Sequence, residues 1–162
     1  MRAVIQRAGA RLHAAGAMDD TLEALEEQHC ELLDRLEATE KRLAALTTPF
    51  LELLVYLERE VGAHFALEEQ ALFPVLARHP EVAAGALPTM MEEHATLRAR
   101  LGELGEALRH GSVASQVALV EAITDLLRAH IVKEDTVLFA LARLTLSPDE
   151  QDEVERLAQA LR

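Results

Sequence analysis

One stretch of this chain is written twice: AHFALEEQALFP at residues 63–74 returns as AHIVKEDTVLFA at 129–140. Both copies keep His, then Glu four residues on, then Leu-Phe. Residues four apart on a helix project from the same face, so His64 with Glu68 and His130 with Glu134 each make a pair of teeth pointing one way. The agreement reaches further back. His29 is followed by Leu32 and Leu36, and His94 by Leu97 and Leu101 at the same offsets. Each half therefore carries a lone His on one helix and a His-x-x-x-Glu pair on the next. A chain built this way is a pair of αα-hairpins related by twofold pseudosymmetry.

The helix punctuation agrees. Asp20, Thr21, Leu22 and Glu23 can cap a helix whose face carries Leu22, Leu25, His29, Leu32, Leu36 and Leu43 to about Leu46. Thr48 and Pro49 open a second helix carrying Phe50, Leu53, Leu54, Leu57, Val61 and His64, which Pro74 should kink or end. Thr89 and Glu92 form another capping box, before a stripe of Met91, His94, Leu97, Leu101, Leu104 and Leu108 that Gly111 closes. A fourth helix from Ser112 carries Val113, Val117, Val120, Ile123, Leu127, His130, Glu134, Val137 and Leu141, and Ser147 to Glu150 cap a short fifth. Four long helices with short connections predict an all-α fold, an up-down-up-down antiparallel four-helix bundle. The expected division is an N-terminal extension over 1–18, loose or a short helix, the bundle over 19–146, and a short C-terminal helix over 147–162 packed on it.

Composition narrows the function. With 162 residues the chain is one domain with a real core. A formal charge of −12 repels phosphate backbones, and the one acid-free basic stretch, the first 18 residues, holds only Arg2, Arg7 and Arg11, so no nucleic-acid partner is expected. No apolar run approaches the roughly 20 residues that span a bilayer, and the amino terminus has no signal-peptide core. The expectation is a cytoplasmic chain with no membrane role. The single Cys30 cannot form an internal disulfide, in keeping with a reducing compartment.

The chemistry follows from burial. His29, His64, His94 and His130 occupy positions where the helical period asks for Leu, and an imidazole there costs free energy unless something satisfies it. Two inward carboxylates cost more. A metal cluster removes the objection by coordinating all six side chains. Imidazole suits zinc, copper, iron and nickel, while two carboxylates able to bridge favour a pair of hard, higher-coordinate ions with positions left for exogenous ligands.

These six positions, at these two offsets, resemble the hemerythrin-like (HHE cation-binding) family over about residues 20–143. The resemblance implies two non-haem iron ions with an oxo or hydroxo bridge. His29, His64, His94 and His130 would be terminal ligands, and Glu68 and Glu134 bridges, for a small diatomic or peroxide ligand such as dioxygen, nitric oxide or peroxide. Oxygen-carrying members have a fifth His four residues after the third ligand; here that position is Arg98. They also place Asp where Glu134 stands, and Asp135 is adjacent. Relatives without the fifth His are linked to sensing, nitric-oxide responses and peroxide chemistry. The expected function is therefore a sensor or binding module, the alternative a di-iron enzyme that detoxifies peroxide, oxygen or nitric oxide.

The remaining polar residues are expected to do less. Glu69 and Asp135 read as a solvated helix face, and Cys30, about 100° off the His29 direction, as a packed structural thiol. Glu60 is a candidate acceptor for the second ring proton of His64, with a surface salt bridge as the equal alternative. Tyr56 could reach the cluster but fits a rim of the core better. His13, His79 and His110 fall near helix ends or loops and read as solvated.

Overall fold

The computed structural model describes the backbone of residues 2–42 and 48–161 and the side chains of 18–39 and 49–161. These residues form helices and turns, with no strand among them. Helix α1 is Arg2–Arg42, and α2, Thr48–Leu67, runs through a π-helical turn, Glu68–Leu72, into α3, Phe73–Leu76. Next come α4, Pro80–Ala84, and α5, Ala86–His110. Helix α6, Val113–Lys133, passes through a second π turn, Glu134–Leu138, into α7, Phe139–Thr145, before α8, Pro148–Gln159. None of the described helices is long and apolar enough to cross a membrane.

The capping box at Asp20 does not start a helix. Helix α1 is already running from Arg2, so the segment expected as a loose or short-helical extension is its leading part. Ala3, Ala8, Ala10, Ala14, Ala15 and Ala17 are strong helix formers, and they outweigh Gly9 and Gly16, each a cost of about 1 kcal/mol. The expected end near Leu46, and Leu43 with it, lies outside the described residues. Helix α5 likewise opens at Ala86 rather than at the Thr89 box. Pro88 falls in its first turn, where a missing N–H costs nothing. Ser112 caps α6 as expected, accepting from the Ser115 amide at 3.2 Å. Gly111 is needed there, since a Cβ would meet the Ala107 carbonyl at 2.7 Å and Ser115 Oγ at 2.8 Å. The Ser147–Glu150 box also forms, with the Ser147 amide donating to Glu150 at 2.9 Å.

Pro74 does not end its helix at once; α3 continues to Leu76. The π turn before it closes with the Phe73 amide donating to the Glu68 carbonyl, and the second with Phe139 donating to Glu134 in the same way. A π turn leaves one carbonyl without a helical donor, which is where a proline does least harm. Proline is not its cause, though, because the second copy has Ala140 in that place. Both bulges begin at the Glu of the repeated motif. The inserted residue shifts the inward register, so Leu138, Phe139 and Ala142 are buried while Val137, expected inward, is exposed and Leu141 only half-buried. Two further expectations fail for simpler reasons. The row four residues apart faces in on α5, so Met90 is buried and Met91 exposed, and Val113 is exposed at the first turn of α6.

The apolar core falls into two clusters. One holds Leu32, Leu36, Leu53, Leu57, Val61, Leu97, Leu104, Ile123 and Leu127. The other holds Met18, Leu22, Leu25, Leu72, Leu76, Leu87, Met90, Leu138 and Val154. Between them sits a polar layer of His29, His64, Glu68, His94, His130 and Glu134, all buried. Along α1 and α5 the chain meets the second cluster, then the polar layer, then the first; along α2 and α6 the order is reversed. Helix α8 lies on α1, where Thr21 donates to Glu155, and Arg78 clamps Glu153 through two bonds of 2.6 Å.

The face assignment has a direct test on α2. Leu57→Ala empties a fully buried site and is expected to destabilise by about 2–5 kcal/mol, whereas Leu51→Ala, at an exposed position, should stay within about 0.5 kcal/mol of the parent in chemical denaturation.

Candidate metal centre

Six side chains from four helices meet in the polar layer. His29 comes from the middle of α1, His64 from the last turn of α2, His94 from α5 and His130 from the last turn of α6. Glu68 and Glu134 each stand at the first residue of a π turn. None is more than 2% exposed. The structure thus brings all six singled-out residues together.

The contacts are close and pseudosymmetric. His29 Nε2 lies 3.0 Å from Glu134 Oε2 and His130 Nε2 2.8 Å from Glu134 Oε1. Glu68 Oε2 lies between His94 Nε2, at 3.3 Å, and His64 Nε2, at 3.5 Å. The donor atoms form two overlapping groups, Glu68, His94, His130 and Glu134 in one, His29, His64 and Glu134 in the other, each with its atoms within 4.8 Å of one another. Glu134 belongs to both.

The outward ring nitrogens decide what the inward ones can do. His29 Nδ1 donates to Asp135 at 2.8 Å, His64 Nδ1 to the Gln28 amide oxygen at 3.1 Å, His94 Nδ1 to Glu69 at 2.7 Å and His130 Nδ1 to Glu93 at 3.0 Å. Every partner is an acceptor, so the proton of each neutral ring sits on Nδ1 and a lone pair points inward from Nε2. The Nε2 atoms of His29 and His64 stand 3.0 Å apart, those of His94 and His130 3.2 Å. Two lone pairs at that distance repel unless a proton or a cation lies between them. All four oxygens of Glu68 and Glu134 are also buried without a hydrogen-bond partner. Four inward imidazole nitrogens and two carboxylates whose oxygens lack hydrogen-bond partners form a cage for cations, and this nitrogen and oxygen donor set fits the hard or borderline cations that the sequence suggests.

Ionisation in the metal-free layer follows. Burial, then the neighbouring charge of Glu134, pushes the Glu68 carboxyl well above its ordinary value. Burial opposes ionisation of Glu134 too, but the imidazoles of His130, His29, His64 and His94 outweigh it and hold that carboxyl far below the usual range. Burial lowers His64; at His130 burial is overcome by Glu134 and Glu93, and the value rises. Glu68 therefore favours the metal-free fold at low pH, a contribution lost as pH rises through its raised value; that of Glu134 is present at neutral pH and is lost progressively as pH falls below the ordinary carboxylate range.

Four holders of the rings escaped or were misread in the sequence. Gln28 and Glu93 each immediately precede a lone His, and that doubled position was the available signal. Glu69 and Asp135, expected as solvated, each immediately follow a motif Glu and secure the lone His of the other half. Glu60 does not take the His64 proton; it pairs with Arg59 at 2.6 Å. Tyr56 stays away from the layer, beneath the Arg35 guanidinium at 4.4 Å, and burial and Glu31 raise its pKa. Cys30 is exposed rather than packed. His79 bonds Glu150 at 3.0 Å instead of standing in solvent, His110 is exposed, and the His13 side chain lies outside the described residues. Arg98 turns outward and grips Glu69 through bonds of 2.8 and 2.9 Å.

Compared with known families, the chain matches the family model described as hemerythrin HHE cation binding domain over residues 20–142, a span that contains the whole cluster. No curated protein and no solved structure gives a significant match.

Glu68→Gln keeps the shape and removes the charge that the metal-free layer resists. It is expected to raise the stability of the metal-free protein by about 1–3 kcal/mol at neutral pH while weakening metal uptake. The parent should release protons when it takes up metal, and its affinity should fall as pH falls. Thermal melts, and calorimetry in buffers of different ionisation enthalpy across a pH series, read all four.

Proposed function

Since this chain belongs to the hemerythrin HHE cation-binding domain family, we propose that His29, His64, His94 and His130, with Glu68 and Glu134 as bridges, hold two non-haem iron ions joined by an oxo or hydroxo group. The reading rests on one observation: every ring turns Nδ1 outward onto an acceptor, so that four Nε2 atoms and two carboxylates without hydrogen-bond partners converge in one buried layer. The reversed order of core clusters along successive helices supports an up-down-up-down antiparallel bundle around it.

The residues around the cage favour a small ligand, and we read the protein as a binding or sensing module for dioxygen, nitric oxide or peroxide. When bound, an iron pair supplies Lewis-acid and redox chemistry. The chain supplies the enclosure. Phe65 stacks on His94 with centroids 3.6 Å apart, Phe73 lies 5.6 Å from the same ring, and Phe139 stacks on His29 at 5.7 Å. These apolar walls close the cluster off from water. The bidentate potential of both carboxylates lets the donor set adapt as coordination changes, and the four outward hydrogen bonds hold the imidazoles in place as it does.

The test is metal content and the ultraviolet and visible spectrum of protein purified in air, then after anaerobic reduction and re-exposure to oxygen. The expected result is about two irons per chain and an absorption that bleaches and returns, both lost in His64→Ala and Glu134→Ala. Addition of peroxide with little gas evolution fits the binding module; sustained oxygen release would shift the reading to an enzyme of peroxide detoxification. A single zinc, or none of these metals, would sink the di-iron reading.

A further inference from the structure

The two halves of the cluster are alike in their first ring of side chains and unlike in what holds it. On the His94–His130 side both ring protons go to carboxylates that are themselves tied down. Glu69 is gripped by Arg98 at 2.8 and 2.9 Å, and Glu93 is paired with Lys133. Arg98 acts twice, because its guanidinium also lies 5.1 Å from the centre of the Phe65 ring, which itself stacks on His94. On the His29–His64 side the acceptors are looser. Asp135 is 40% exposed and has no Lys or Arg partner among the described residues, and Gln28 is a neutral amide.

The charges of Arg98 and Lys133 would by themselves weaken the electron donation of Glu69 and Glu93 to their rings. Both cations are close to half-exposed, however, at 47% and 45%, so water and salt screen their charge at the cluster. Their geometric effect is not screened. Fixing the outer acceptors sets ring tautomer and orientation, and losing such a partner typically costs about 10–100-fold in metal affinity. Positioning by the outer partners thus outweighs the opposing charge effect.

We propose that Arg98 and Lys133 are positioning residues that make the Glu68–His94–His130–Glu134 group the tight, first-filled cation position and leave the His29–His64 side as the exchangeable one. This rests on the metal reading above and goes beyond it by ranking the two positions and naming the surface residues that set the rank. The position at which oxygen-carrying relatives have a fifth His is then occupied by a residue that acts on His94 through Glu69 and Phe65.

The experiment is a titration of the metal-free full chain with cobalt(II), whose visible absorption reports each position as it fills. The parent should show two separated steps. Arg98→Ala and Lys133→Ala should each weaken the tighter step by about 2–5-fold, the worth of a half-exposed ion pair, and leave the weaker one in place. Lys133→Arg, which keeps a cation on Glu93, should behave as the parent, and Asp135→Asn should weaken only the second step. All four change exposed or half-exposed groups, and melting of the metal-free variants should match the parent, which separates positioning from folding. Two equal steps in the parent, both steps falling together in Arg98→Ala, or Asp135→Asn acting on the tighter step would overturn the ranking while leaving a metal-binding cluster intact. No cobalt uptake at all would overturn both the ranking and the metal reading.

Discussion

Two carboxylates and four imidazoles buried in one layer are the arrangement on which the rest of this molecule depends. Water cannot solvate them there, the carboxylate oxygens lack hydrogen-bond partners, and each imidazole keeps its Nδ1 on an outward acceptor. A layer of this kind is stable only when the helices on either side are held firmly enough to keep it assembled, and a cation relieves it. The two apolar clusters above and below do the holding. Their aliphatic side chains, Leu57, Leu104, Leu22 and Leu76 among them, are close to fully buried.

The same constraint explains the backbone. Each helix that carries a His-Glu pair widens into a π turn at the Glu, in two places where the surrounding sequence differs. The bulge lets the pair face the layer and still brings Leu72 and Phe73, or Leu138 and Phe139, back to the core. It also sets Glu69 and Asp135 at the edge of the layer, each reaching the lone His of the opposite half. Interlocked halves follow from this, since each hairpin supplies an acceptor that orients a ring on the other.

Much of this was legible beforehand, and the reason is periodicity. A polar residue that recurs at leucine positions on four helices, at matched offsets, has few explanations other than a shared site, so His29, His64, Glu68, His94, His130 and Glu134 could be named without a structure. Helix limits were read less well where two local signals competed. The Asp20 and Thr89 boxes looked like starts, but alanine-rich sequence before the first and a tolerated Pro88 before the second let the helices begin earlier. Val137 and Leu141 were misplaced because an unbroken helical period was carried through residues that form a bulge.

The sequence by itself determined the helical class, the duplication and the inward set of histidines and glutamates, because these depend on spacing along single helices, where geometry is local and regular. Only the tertiary structure decided which acceptors hold the rings. Gln28 and His64, or Arg98 and Glu69, are far apart in the chain, and their pairing depends on how neighbouring helices are rotated and offset against each other. Helical spacing along one segment carries no information about that, and the inequality between the two halves of the cluster arises from it.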